Sequence, residues 1–146
     1  MQNPKNSNTN QSNSNKIKED PYRILLVDDE PDVTLGFEIG LEDNGFVVDS
    51  FNDPILALSS FRQGFYSLAL FDIKMPKLSG FELYREIRKI DDKVKICFMT
   101  AFDLETEKLK EVLHTSDSEK PVVIRKPITI DDLTARIKAE LLSDLQ

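Results

Sequence analysis

From Pro21 onward, short apolar runs alternate with stretches whose apolar residues recur at helical spacing. The runs are Arg23-Ile-Leu-Leu-Val27, Phe46-Val-Val-Asp-Ser50, Leu68-Ala-Leu-Phe71, Val94-Lys-Ile-Cys-Phe-Met99 and Val122-Val-Ile-Arg125. Each reads as a strand. Between them lie start and stop signals for five helices. Glu30-Pro31 opens the first and Asn44-Gly45 closes it. Asp53-Pro54 reads as N-cap and first helical residue of the second, with Leu58 and Phe61 on one face and Gly64 at its end. Leu83, Ile87 and Ile90 form the stripe of the third. Asp103 can cap a fourth carrying Leu109, Val112 and Leu113, and Thr129 with Asp132 resembles a capping box ahead of Leu133, Ile137 and Leu141. Nearly unbroken apolar strands between helices predict a parallel sheet covered on both faces, an α/β doubly wound sandwich of five strands and five helices.

Ligands of such sheets bind beyond the carboxyl ends of the strands, where strand order reverses. Four predicted strands deliver polar side chains there: Asp28-Asp29 after the first, Asp72 after the third, Thr100 after the fourth and Lys126-Pro127 after the fifth. Taken singly, an aspartate after a strand is often a turn former or helix cap. As a set they suggest chemistry. Three neighbouring carboxylates repel and call for a cation, and hard oxygen ligands suit Mg²⁺. A carboxylate is also a nucleophile that can form an aspartyl-phosphate. Lysine and threonine suit phosphoryl oxygens. Asp72, alone on the central strand, is the natural nucleophile, and Asp28 and Asp29 are the natural metal ligands.

Composition narrows the class. The chain has 146 residues, room for one ordinary domain, and carries 26 acids against 19 bases. A basic nucleic-acid surface is not expected. One cysteine, Cys97, excludes an internal disulfide and fits a reducing, cytoplasmic setting. No apolar run approaches the ~20 residues that span a bilayer, and no signal peptide follows Met1. Residues 1–20 are rich in Asn and Ser, with Ile17 the one aliphatic side chain, and read as a disordered tail. That leaves one domain over 21–146.

The segments Ile24-Leu-Leu-Val-Asp-Asp-Glu30, Leu70-Phe-Asp-Ile-Lys-Met-Pro-Lys-Leu-Ser-Gly-Phe-Glu-Leu83, Met99-Thr-Ala101 and Arg125-Lys-Pro-Ile128, in that order, resemble the receiver domain of two-component response regulators. The resemblance covers residues 23–145. It implies a flavodoxin-like sheet of order 2-1-3-4-5. It implies that Asp72 accepts a phosphoryl group from a sensor histidine kinase or phosphotransfer protein. Asp28, Asp29, Asp72 and the backbone carbonyl of Lys74 would hold Mg²⁺, and Thr100 and Lys126 would contact the phosphoryl group. The Lys126-Pro127 bond would be cis. Output would be altered binding of a downstream protein, with no direct nucleic-acid contact and no membrane insertion. The face formed by the fourth helix, fifth strand and fifth helix, through which many receivers pair, is the expected place for a homodimer.

Some residues depart from the family pattern. Val123 stands where receivers usually carry a rotating aromatic, and Phe102 is a candidate substitute. A polar loop, Thr115-Ser-Asp-Ser-Glu-Lys-Pro121, replaces the usual small residues before the fifth strand. Lys74 is either a solvated loop lysine or a residue that affects the approach of water and so the dephosphorylation rate. His114, the single histidine, suits a helix C-terminus. Cys97 reads as a small buried hydrophobe. Two other classes compete with a phosphorylated switch. An aspartate-nucleophile phosphatase of the haloacid dehalogenase type would need a second aspartate where Lys74 stands, and its nucleophile on the first strand. A receiver-like module that binds partners without phosphate differs only in whether Asp72 is modified.

Overall fold

The computed structural model describes residues 20–101, 109, 111 and 121–143. Five parallel strands, β1 (Arg23–Val27), β2 (Val47–Phe51), β3 (Leu68–Asp72), β4 (Lys95–Thr100) and β5 (Val122–Arg125), form one sheet in the order β2-β1-β3-β4-β5. The four described helices are α1 (Pro31–Asp43), α2 (Pro54–Ser60), α3 (Gly80–Ile90) and α4 (Ile130–Ser143), the last being the fifth expected from the sequence. The helix expected between β4 and β5 lies largely outside the described residues. Leu109 and Glu111 of it are helical, and Leu109 is buried. The tail over 1–19, Phe102, Asp103, His114 and the loop 115–120 also fall outside.

Strand alternation splits the core in two. Leu25, Val27, Ala69, Phe71, Ile96 and Phe98 point to the face covered by α2 and α3, where Ala57, Leu83 and Ile87 meet them. Ile24, Leu26, Leu68, Leu70, Cys97, Met99 and Ile124 point to the other face, against Leu41 of α1 and Leu133, Ile137 and Leu141 of α4. All five residues of β3 are buried, as a central strand with helices on both sides requires.

Local chemistry sets the ends. Glu30 precedes Pro31 at the start of α1, and Gly45 closes it with φ +95°. Asp53 caps α2 through the Ile55 N–H. That helix stops at Ser60 rather than running to Gly64. Phe61 turns to extended backbone and buries its ring beside Tyr66, with centroids 5.5 Å apart. Ser79 and Glu82 form a full capping box at α3. Thr129 Oγ1 accepts the Asp132 N–H at α4, at 3.1 Å. Gly80 lets the start of α3 lie against the end of β3: a Cβ there would sit 2.5 Å from the Asp72 carbonyl oxygen and 3.0 Å from Ile73 Cα.

Candidate functional site

The chain leaves β1 toward β2 on one side and returns to β3 on the other, so the sheet's order reverses between β1 and β3. A parallel sheet opens a crevice at that point, beyond the strands' carboxyl ends. Asp28 and Asp29 follow β1, and Asp72 ends β3. Together they place one carboxylate oxygen each within 4.8 Å of one another. Asp28 is fully buried, and Asp72 is 7% exposed.

Lys126, just past β5, reaches across to this cluster. Its Nζ lies 3.0 Å from Asp72 Oδ1 and 3.1 Å from Asp28 Oδ2. The Lys126 N–H donates to the Thr100 carbonyl at 2.8 Å, which ties the two strand ends together. The Lys126–Pro127 peptide bond is cis. Asp29, Glu30, Asp72, Lys74, Thr100, Ala101 and Lys126 line a shallow cavity of about 250 Å³. Thr100 is buried, and Lys74 is exposed at the mouth.

Burial pushes the Asp72 carboxyl above the usual carboxylate range. Lys126 pulls it back, and the charges of Asp28 and Asp29 add to the rise. For Lys126, burial works against the charged form, but its bonds to Asp72 and Asp28 more than offset it and hold the ammonium above the ordinary lysine value. The pocket's charge is thus only partly balanced from within. Three oxygen-only carboxylate donors at this separation fit a small hard dication, which commonly keeps part of its water shell and bridges to phosphate oxygens.

Asp28, Asp29, Asp72, Thr100, Lys74 and Lys126 all meet in this one crevice. Val123 sits elsewhere. It pairs with Phe98 across β4 and β5 and packs into the α2–α3 side of the core. Phe98 itself is buried against Phe81 and Tyr84, at centroid distances of 5.3 and 5.7 Å. The large aromatic of this region is on β4 and the small residue on β5. Cys97 lies buried in the opposite core.

Two supporting residues are unmarked in the sequence. Asn52 lies just before the Asp53-Pro54 helix start, and Thr34 lies within α1. The Asn52 side-chain amide bonds both the Asp28 carbonyl, at 2.8 Å, and the Thr34 hydroxyl, at 2.9 Å.

A 2-1-3-4-5 parallel sheet with acids at its reversal point and a lysine opposite defines the receiver class of signalling domain. Residues 24–138 match the response regulator receiver domain, and the chain belongs to that family. It is 33% identical over 118 residues to the uncharacterized transcriptional regulatory protein YkoG of Bacillus subtilis, covering 81% of this chain and 50% of that protein. Among solved structures, a CheY-like receiver from Methanospirillum hungatei is similar at TM-score 0.71 and 29% identity, covering 83% and 94% of the two chains. The response regulator TrrA of Thermotoga maritima, solved in complex with Mg²⁺ and BeF, is similar at TM-score 0.66 and 31% identity, covering 83% and 99%.

The chain spans about half the length of the transcriptional regulators it matches. Those relatives are named as transcriptional regulatory proteins, which qualifies the expectation of no direct nucleic-acid contact. No helix among the described residues is long and apolar enough to cross a membrane.

Proposed function

We propose that this receiver accepts a phosphoryl group on Asp72 from the phosphohistidine of a sensor histidine kinase or phosphotransfer protein. A carboxylate oxygen of Asp72 attacks phosphorus, the P–N bond breaks, and the imidazole departs with the electron pair. The product is an acyl phosphate carrying about −1.5 to −2 charges. Asp28, Asp29, Asp72 and the Lys74 carbonyl would hold Mg²⁺, whose charge, when bound, offsets that of the phosphoryl oxygens. Lys126 already contacts the acceptor carboxylate and supplies a fixed cation to the transferred group. The Thr100 hydroxyl, at the end of the neighbouring strand, is the donor drawn toward the new oxygens. Their movement shifts the balance between two arrangements of the β4–β5 end and so changes which protein partner binds there, including a second copy of the chain.

The observation that carries this reading is the Lys126 ammonium 3.0 Å from an Asp72 carboxylate that shares its pocket with Asp28 and Asp29. The test is intact-mass analysis after incubation with Mg²⁺ and acetyl phosphate. The expected result is one added phosphoryl group, absent from Asp72→Asn and absent when Mg²⁺ is chelated. Labelling that persists in Asp72→Asn refutes the assignment. No labelling, under conditions that modify a known receiver, leaves a phosphate-independent binding module.

A further inference from the structure

β1 and β2 run in parallel register as far as Val27 and Phe51, and the Asp28 N–H adds one more rung to the Phe51 carbonyl at 3.1 Å. There β2 ends, because Asp53 and Pro54 begin α2. The Asp28 carbonyl is met instead by a side chain. Asn52 Nδ2 donates to it at 2.8 Å and to Thr34 Oγ1 at 2.9 Å. The buried Thr34 hydroxyl donates in turn to the Pro31 carbonyl at 2.9 Å. On the other side of the same residue, Asp28 Oδ1 accepts the Glu30 N–H at 3.0 Å. The end of β1, the first turn of α1 and the β2–α2 connection are joined through one carboxamide.

We propose that Asn52 is a positioning residue for the cation-binding carboxylates, holding the Asp28–Asp29 peptide so that both acids face Asp72. This rests on reading Asp28, Asp29 and Asp72 as a Mg²⁺ site. The side-chain type matters. An amide NH₂ offers two donors in a fixed planar fork, a hydroxyl offers one and a carboxylate none. The two acceptors here belong to different elements, so two donors are needed to join them. Pinning the Asp28 carbonyl sets the plane of the peptide that links Asp28 to Asp29. That plane in turn sets the directions of two of the three side chains in the cluster. Mutual repulsion of the carboxylates works to splay the loop in the metal-free protein, and the Asn52 bonds oppose that motion. The effect therefore falls on cation affinity and leaves the nucleophile untouched, since Asp72 is held by β3.

The test is calorimetric titration of the intact chain with MgCl₂, run well below the unfolding temperature, alongside amide hydrogen exchange of the metal-free protein. Asn52 is solvent-exposed, so Asn52→Ala is expected to fold with a small loss of melting temperature. Its Mg²⁺ dissociation constant should rise about tenfold, the size typical of lost outer-shell support. Asn52→Ser, keeping one donor, should fall between. Thr34→Val, which removes the second acceptor but keeps the shape, should weaken binding less than Asn52→Ala. Exchange of the Glu30 amide should quicken in Asn52→Ala without any metal present. A dissociation constant unchanged in Asn52→Ala, whatever happens to its melting temperature, overturns the inference alone. Absence of Mg²⁺ binding by the wild type overturns the cation reading and this inference with it.

Discussion

Replacing Lys126 by methionine keeps most of the apolar stem and removes the charge. In the metal-free protein this leaves Asp28 and Asp72 without the ammonium that lies 3.1 and 3.0 Å from them. At an effective dielectric of about 20, each contact carries about 5 kcal/mol of Coulomb energy. Desolvation of three buried ions returns most of that, and breaking a buried pair typically costs about 3–5 kcal/mol. A second limit comes from protonation. The variant can relieve its repulsion by taking up one proton, and at about pH 7 protonating a carboxyl of ordinary pKa costs about 4 kcal/mol. The expected loss is therefore about 3–4 kcal/mol by urea unfolding in chelator. The sign with pH follows. A carboxyl whose folded pKa lies above its unfolded value costs stability at high pH and regains it on acidification. The deficit should thus shrink between about pH 7 and about pH 5. Saturating Mg²⁺ should also shrink it, because a dication replaces the lost charge. A deficit below about 1 kcal/mol, the scale of an exposed pair, or one indifferent to both pH and Mg²⁺, refutes the claim that Lys126 balances the acidic pocket.

Gly80→Ala puts a Cβ against main-chain atoms of Asp72 and Ile73, which cannot yield as a side chain can, so α3 must retreat from the end of β3. A loss of about 1–3 kcal/mol by thermal melting and slower labelling of Asp72 are expected. Asp91→Ala tests a structural acid far from the site. Burial pushes the Asp91 carboxyl up, but the amides of Gly64, Lys93 and Val94 more than offset it and hold it below its usual value. The variant should lose about 3 kcal/mol near neutrality. Its gap from wild type should narrow as pH falls below about 4, since a depressed carboxyl gives its charge-dependent stabilisation above its unfolded pKa and loses it once protonated. Cys97 is buried in β4, and desolvation pushes its thiol up to about 12. Native protein should resist a thiol-disulfide reagent that labels urea-unfolded protein fully. Rapid native labelling would contradict the burial.

Most of the architecture was legible along the chain because strand and helix periods are local. Runs such as Arg23–Val27 and Leu68–Phe71 need both faces covered, and that requirement alone predicts the parallel doubly wound sheet. The strand order itself came from resemblance, since pairing of β1 with β3 rather than with a later strand leaves no local mark. The acids were visible for a similar reason: Asp28, Asp29 and Asp72 stand at the carboxyl ends of strands, so their chain positions already place them at one edge. Helix ends were less legible. The second helix was expected to reach Gly64, but it stops at Ser60 because Phe61 gains more by burying its ring than by extending the turn. The start of α3 was not assigned from the sequence, although Ser79 and Glu82 stand at capping-box spacing ahead of Leu83 and form that box in the fold. The individual hydrogen bonds that join distant segments were not legible. Nothing near Asn52 announces that its amide will replace a missing rung of the β1–β2 ladder, and Asn-Asp-Pro looks like any helix start. Strand-end chemistry and resemblance bring Lys126 to the phosphoryl site of Asp72, but nothing in the chain reveals its second contact, with Asp28. Periodicity and strand-end chemistry are properties of neighbours in the chain and can be read from it. Which carbonyl an amide meets, and which two acids share one ammonium, depend on the folded distances between elements tens of residues apart.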